Sequence, residues 1–250
     1  MLLPQSRNGE EKMKNKVHSV VCGLGEIGAG LSGLLSEKYQ VYGVDLNTKD
    51  MPDTCNYLNI CIPYTGHFVE VVNDYIKRFN PLLAIIHSTV AVGTTEKITG
   101  EVVHSPVMAK HPKIYQGLKT YKKFIGWNTP KARDLAASYF KDLLNICLVE
   151  GTHQTELMKI LSLSRYGIYL MVADEMNRIC TEFGADYDTV VKLWESAYNE
   201  GIANSEPDRK RPIYDPPNGK IHGHCVLPVM KMFNNQFYSE LINKVIIKYE

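Results

Sequence analysis

Cys225 stands in IHGHCVLPVMK, residues 221–231, with His222 and His224 on its N-terminal side and a glycine between them. A thiol so placed can be a nucleophile, a metal ligand or a packed core group, and these eleven residues leave all three open. A metal site would join His222, His224 and Cys225, but ligands crowded into one loop need a distant fourth, and no metal is expected. A second chemical signature is GLGEIG, which follows the apolar run VHSVVC at once. Gly23 permits a tight strand-to-helix turn. Gly25 lets a pyrophosphate approach the backbone at Glu26 and Ile27, and Gly28 lets helix and strand pack closely. Asp45 closes the next apolar run, QVYGVD, 22 residues after Gly23. A carboxylate there accepts hydrogen bonds from an adenosine ribose and repels a 2′-phosphate, so the pattern predicts NAD in preference to NADP.

The elements that must carry these residues alternate between strand and helix. VHSVVC and QVYGVD read as buried parallel strands flanking a helix with Ile27, Leu31, Leu34 and Leu35 on one face. YLNICI, closed by Pro63, LLAIIHSTV, EVVHSPV, KKFIGW and NICLVE continue as strands. GHFVEVVNDYIKRF and PKARDLAASYFKDLL read as helices, the second with proline in its first turn, and VGTTEKI as a helical start. This rhythm predicts a Rossmann-type, doubly wound parallel sheet over residues 16–151. The stretch from Leu46 to Asn56 is too short for a normal helix and strand, so the first half of the fold is abridged. Ser88 and Thr89 fall at the C-terminal end of a strand, where ligands of such sheets sit.

Past Gly151 the pattern turns helical. Residues 152–183 carry apolar side chains at helical spacing around more of the circumference than a small domain covers, which predicts a homodimer. A helix capped by Asp186 or Asp188, a proline-rich loop over 201–220 and a closing helix from Val226 complete a small all-helical domain, 152–250. Residues 1–15 read as a disordered leader.

Composition narrows the function. The chain has 250 residues, 44% hydrophobic, and a net charge of +1, which gives no electrostatic reason to expect nucleic acid or an anionic membrane as partner. No run approaches the roughly 20 apolar residues of a membrane span, and the N-terminus is too polar for a secretory signal. Six cysteines without a CxxC pair read as reduced thiols of a cytoplasmic protein.

These pieces together resemble the UDP-glucose/GDP-mannose dehydrogenases over about residues 16–240. GLGEIG with Asp45 stands where that family has its NAD fingerprint, and ICIPYT and IIHSTVAVGTTEKI resemble its next two strand ends. HSPV, TELMKIL and HGHCVLP resemble its SPE segment, its central helix and its cysteine loop. The resemblance implies that Cys225 attacks an aldehyde intermediate and that Lys159 serves the oxyanion, with Thr89 matching the family's threonine. It implies a sugar or nucleotide sugar as the small-molecule substrate, and it does not extend into the family's third, nucleotide-binding domain. Three polar positions of the family are aliphatic here: Leu163, Val229 and Val107. The retained pair suits a single hydride transfer with Lys159 as acid/base. A β-hydroxyacid dehydrogenase and a catalytically silent dinucleotide-binding sensor or scaffold are the other readings.

Overall fold

The computed structural model describes residues 18–48, 51–217, 219–221 and 225–250. The expected leader and the pair His222 and His224 lie outside the described residues. The chain divides into two compact units between Lys159 and Ile160.

The first unit is a seven-stranded sheet. Its strands are β1 (His18–Cys22), β2 (Gln40–Val44), β3 (Tyr57–Ile60), β4 (Leu83–Ile86), β5 (Val102–His104), β6 (Lys123–Trp127) and β7 (Ile146–Glu150). They lie in the order β2-β1-β3-β4-β5-β6-β7. Every pairing is parallel except β5 with β6, where Val103 faces Trp127. β1 pairs with both β2 and β3, so the strand order reverses beside it, and that reversal is the ligand-binding position of an open α/β sheet.

Alternation along the strands builds two cores. Val21 joins Leu31, Leu34 and Leu35 of α1 (Glu26–Leu35), Ile114 and Leu118 of α3 (Ile114–Thr120), and Tyr139 and Phe140 of α4 (Pro130–Phe140). Its neighbours Val20 and Cys22 point the other way, onto Phe68, Val72 and Phe79 of α2 (Phe68–Phe79). A strand buried on both faces has no polar alternation, and that is why these segments read as continuous apolar runs. Proline at the first turn of α4 is joined by Thr129, whose hydroxyl accepts the Ala132 N–H at 3.1 Å.

Two expectations are corrected. VGTTEKI forms only a 3₁₀ turn, Thr95–Lys97, because Ile98 is already extended and β5 begins at Val102. EVVHSPV gives a three-residue strand, since the antiparallel register with β6 ends at His104 opposite Gly126.

The second unit contains most of α5 (Thr152–Glu182), a π-helical turn (Asp188–Leu193) running into α6 (Trp194–Ile202), then α7 (Val226–Gln236) and α8 (Glu240–Tyr249). Asp186 is the cap before the π turn, accepting both the N–H and the hydroxyl of Thr189 at 2.8 Å. The closing helix is two helices: Phe237 is extended, and the Ser239 hydroxyl accepts the Ile242 N–H to start α8. Gly167 of α5 admits Met230 of α7; a Cβ there would lie 2.6 Å from the methionine sulfur.

Candidate functional site

Gly23, the first residue past β1, has φ +89, and its N–H donates to Val44 O at 2.8 Å. A side chain there would meet Cys61 O, and one at Gly28 would reach within 1.8 Å of Gly23 O, so both glycines are required by the backbone itself. Gly25 differs. It is the extended N-cap of α1 with no side-chain cap, and a Cβ built on it meets nothing within 4 Å. Among the described residues the first turn of α1, through Glu26 and Ile27, therefore has no side-chain cap, and its face in front of Gly25 is open, which suits a pyrophosphate.

Asp45 stands at the end of β2, directly across this turn. Its carboxylate accepts the Leu24 N–H at 2.9 Å and the Leu46 N–H at 2.8 Å, and these bonds hold it below the usual carboxylate range. Two acceptor sites remain on the exposed carboxylate for the two hydroxyls of a ribose. Residues 18–62 thus fit the adenosine half of NAD.

The rim beyond β3 and β4 is fastened by Ser88. Its hydroxyl donates to Ile62 O at 2.6 Å, tying the end of β4 to the segment that leads into exposed Pro63. Thr89 follows, half-buried. The loop behind it is ordered by Glu156, a fully buried residue of α5. Glu156 accepts Gly93 N–H at 2.6 Å, Thr95 N–H at 2.8 Å and the Thr95 hydroxyl at 2.6 Å. One turn on, Lys159 Nζ donates to Val107 O at 2.8 Å. The structure therefore gathers Gly23, Gly25, Glu26, Ile27, Gly28, Asp45, Pro63, Ser88, Thr89 and Lys159 within one unit, along the C-terminal ends of its parallel strands.

Beneath this edge lies a buried polar track that the motifs did not indicate. Lys123 of β6 donates to Ser105 O at 2.5 Å and Pro106 O at 3.1 Å, and touches His87 Nδ1 at 3.1 Å. His87 Nε2 meets Asn59 Oδ1, whose amide donates to Ser19 and Tyr139. Burial pushes the Lys123 ammonium down to about 7 and holds His87 well below the usual imidazole range. With Lys159 on Val107, two lysines grip three consecutive carbonyls, 105 to 107. Lys123 opens its strand beside Lys122, and nothing local in KKFIGW distinguishes the buried lysine from the exposed one.

The histidines of the first unit separate. His104 is buried against the Thr155 hydroxyl and Ser88 O, and burial lowers it to about 3, whereas exposed His111 pairs with Glu26; the two do not share a site. Among the described residues no group of histidines, cysteines and acids could hold a metal ion. Cys225 belongs to the second unit, half-buried at the N-cap of α7. Val107 and Val229 are buried aliphatic side chains, and Leu163 is half-buried on α5.

No protein-family profile matches the chain. A search of curated proteins finds UDP-N-acetyl-D-mannosamine dehydrogenase of Methanococcus vannielii, 24% identical, the match covering 86% of this chain and 60% of that protein. The chain is similar in sequence to nucleotide-sugar dehydrogenases. It spans about half to three fifths of the length of the curated relatives it matches. Among solved structures, UDP-D-ManNAc dehydrogenase from Pyrococcus horikoshii superposes with TM-score 0.74 at 18% identity, over 93% of this chain and 68% of the other. A Mycobacterium tuberculosis 3-hydroxyisobutyrate dehydrogenase shares the fold, with TM-score 0.68 at 12% identity, over 93% and 92% of the two chains. The curated proteins that match in sequence are UDP-N-acetyl-D-mannosamine dehydrogenases, whereas the 3-hydroxyisobutyrate dehydrogenase is a likeness of fold.

Proposed function

We propose that this chain is an NAD-dependent oxidoreductase that moves one hydride from an alcohol carbon of a nucleotide sugar of the UDP-N-acetylhexosamine class. The observation that carries this reading is the open turn at Gly25 facing the tethered Asp45 carboxylate, with Lys159 held on the neighbouring strand ends. Residues 23–28 and 45 would hold the adenosine and pyrophosphate, and Pro63, Ser88 and Thr89 would line the path towards the nicotinamide. NAD supplies the hydride acceptor. Lys159 would hold the substrate oxygen and take its proton as the carbon–hydrogen bond breaks. No covalent step is assigned to Cys225, because Val229, one turn further along the same helix, is a buried aliphatic residue and offers no polar support.

The test is NADH formation from NAD and UDP-N-acetyl-D-mannosamine. Lys159→Ala should lower kcat about 10²- to 10³-fold, as loss of a proton-transfer group does, and Cys225→Ala should lower it less than about threefold. Arrest of Cys225→Ala at the aldehyde would contradict the one-hydride mechanism. NADH binding with no turnover on any nucleotide sugar would leave a silent dinucleotide-binding protein.

The assembly proposed is a homodimer through the second unit. Ile179, Phe183, Leu193 and Trp194 are exposed there, Phe183 by 82% and Trp194 by 70%, large apolar side chains that a second copy would cover. Light scattering should give twice the chain mass, and the single-chain mass at micromolar concentration would exclude it. A cytoplasmic location is consistent with six free cysteines; among the described residues no helix is long and apolar enough to cross a membrane.

A further inference from the structure

Glu26 is an unfavourable residue to find at a pyrophosphate site. It is the first residue of α1 and the acid of its first turn, so the helix dipole draws its carboxylate towards the same N–H groups that an anionic ligand needs. A carboxylate left there would compete with a pyrophosphate and repel it. In the structure it is engaged instead: Glu26 Oε2 is hydrogen-bonded to His111 Nδ1.

His111 is delivered to that spot by packing. The segment that carries it runs into α3, which lies so close on α1 that a Cβ at Gly30 would stand 2.7 Å from the Ile114 side chain. At the far end of the same helix pair, Lys119 Nζ donates to Glu37 at 2.9 Å and the Tyr115 hydroxyl donates to it at 2.5 Å. On its other side, the segment starts from the carbonyls of residues 105 to 107 that Lys123 and Lys159 hold. His111 is thus fixed from both directions, and it links the strand ends that position Lys159 to the first turn of α1.

We propose that His111 holds the Glu26 carboxylate away from the pyrophosphate position, so that this pair sets the affinity of the dinucleotide site. The inference rests on the dinucleotide reading given above. His111 acts through Glu26 and is a positioning residue. Two consequences follow. Removing the carboxylate should tighten binding, and removing the imidazole should weaken it only while the carboxylate is present.

Calorimetric titration of NADH into the full chain tests this. A unit charge beside a doubly charged pyrophosphate, a few ångströms away in water, is a matter of about tenfold in affinity. His111→Ala should therefore bind NADH about tenfold more weakly than the wild type, and Glu26→Gln, which loses a carboxylate already held aside, up to about threefold more tightly. His111→Lys, which again offers a donor to the Glu26 carboxylate, should restore affinity to within about twofold. The double variant Glu26→Gln/His111→Ala should bind like Glu26→Gln alone, a result that a merely structural role for His111 would not give. Melting curves of all variants confirm folding. A His111→Ala protein that binds as the wild type does, or that weakens binding equally in the Glu26→Gln background, overturns the inference alone. Wild-type protein that binds no NADH overturns the dinucleotide reading and this inference with it.

Discussion

The free energy of unfolding should rise as the pH is taken from 7 to about 8, and fall as the pH is taken below 6.5. The alkaline arm comes from Lys123. Burial lowers its folded-state value to about 7, against roughly 10.4 in an unfolded chain, so between those values the unfolded state binds the extra proton. Lys123 alone raises stability by up to about 1.4 kcal/mol per unit, or roughly 2 kcal/mol by pH 9. From about pH 8.5 the thiols oppose it and the trend reverses, because burial raises Cys22, and Cys55 and Cys61 to about 12, so that the unfolded chain ionises them first. The acid arm comes from His104, which burial lowers to about 3, and from His87, lowered in the same direction. Their unfolded forms protonate near pH 6.5, so stability is lost as pH falls from there towards 3, by an amount on the order of 4 kcal/mol for His104 alone. Denaturant unfolding across pH 4 to 9 measures both arms. Lys123→Met should flatten the alkaline arm and keep the acid one, and a wild-type profile that is flat between pH 7 and 8 would show the amine to be charged and compensated.

The glycines of GLGEIG should separate folding from binding. Gly28→Val places a Cβ where only 1.8 Å separates it from Gly23 O, a backbone atom that cannot move without opening the turn between β1 and α1. A loss of about 4 kcal/mol or more is expected, enough to leave little folded protein at 37 °C. Gly25→Val enters open space, and its structural penalty is limited to exchanging a tolerated N-cap residue for a poor one, about 1 kcal/mol. It should stay folded and lose NADH, because the new side chain stands where the pyrophosphate approaches. Thermal melts beside NADH titrations of both variants check this; a stable Gly28→Val or a fully binding Gly25→Val would each contradict it.

The sequence reveals the parts of this molecule whose determinants are local. Gly23, Gly25, Gly28 and Asp45 are legible because the turn needs glycine at fixed spacing, and the strand after α1 must end opposite it. The long helix from Thr152 is legible from its period and from its want of turn residues. What escapes is set by partners far along the chain. Glu156 looks like one more polar residue of a helix until the backbone of Gly93 and Thr95, about sixty residues earlier, closes on it. Lys123 looks like one of two surface lysines, and α3, whose IYQGLKT is short and polar, is recognisable only by its packing on Gly30. The break at Phe237 is the exception: Ser239 before Glu240 is a helix-start signal that an unbroken helix disregards.

The central claim is that the turn from Gly23 to Gly28 and Asp45 together form a site for NAD. Competitive titration of NADH and NADPH into the wild type and into Asp45→Asn measures it most directly. The wild type should bind NADH at least about tenfold more tightly than NADPH, because the Asp45 carboxylate meets the ribose hydroxyls and repels a 2′-phosphate. Asp45→Asn should narrow that ratio by weakening NADH and admitting NADPH. Equal binding of the two cofactors by the wild type, or a ratio untouched by Asp45→Asn, would contradict that claim.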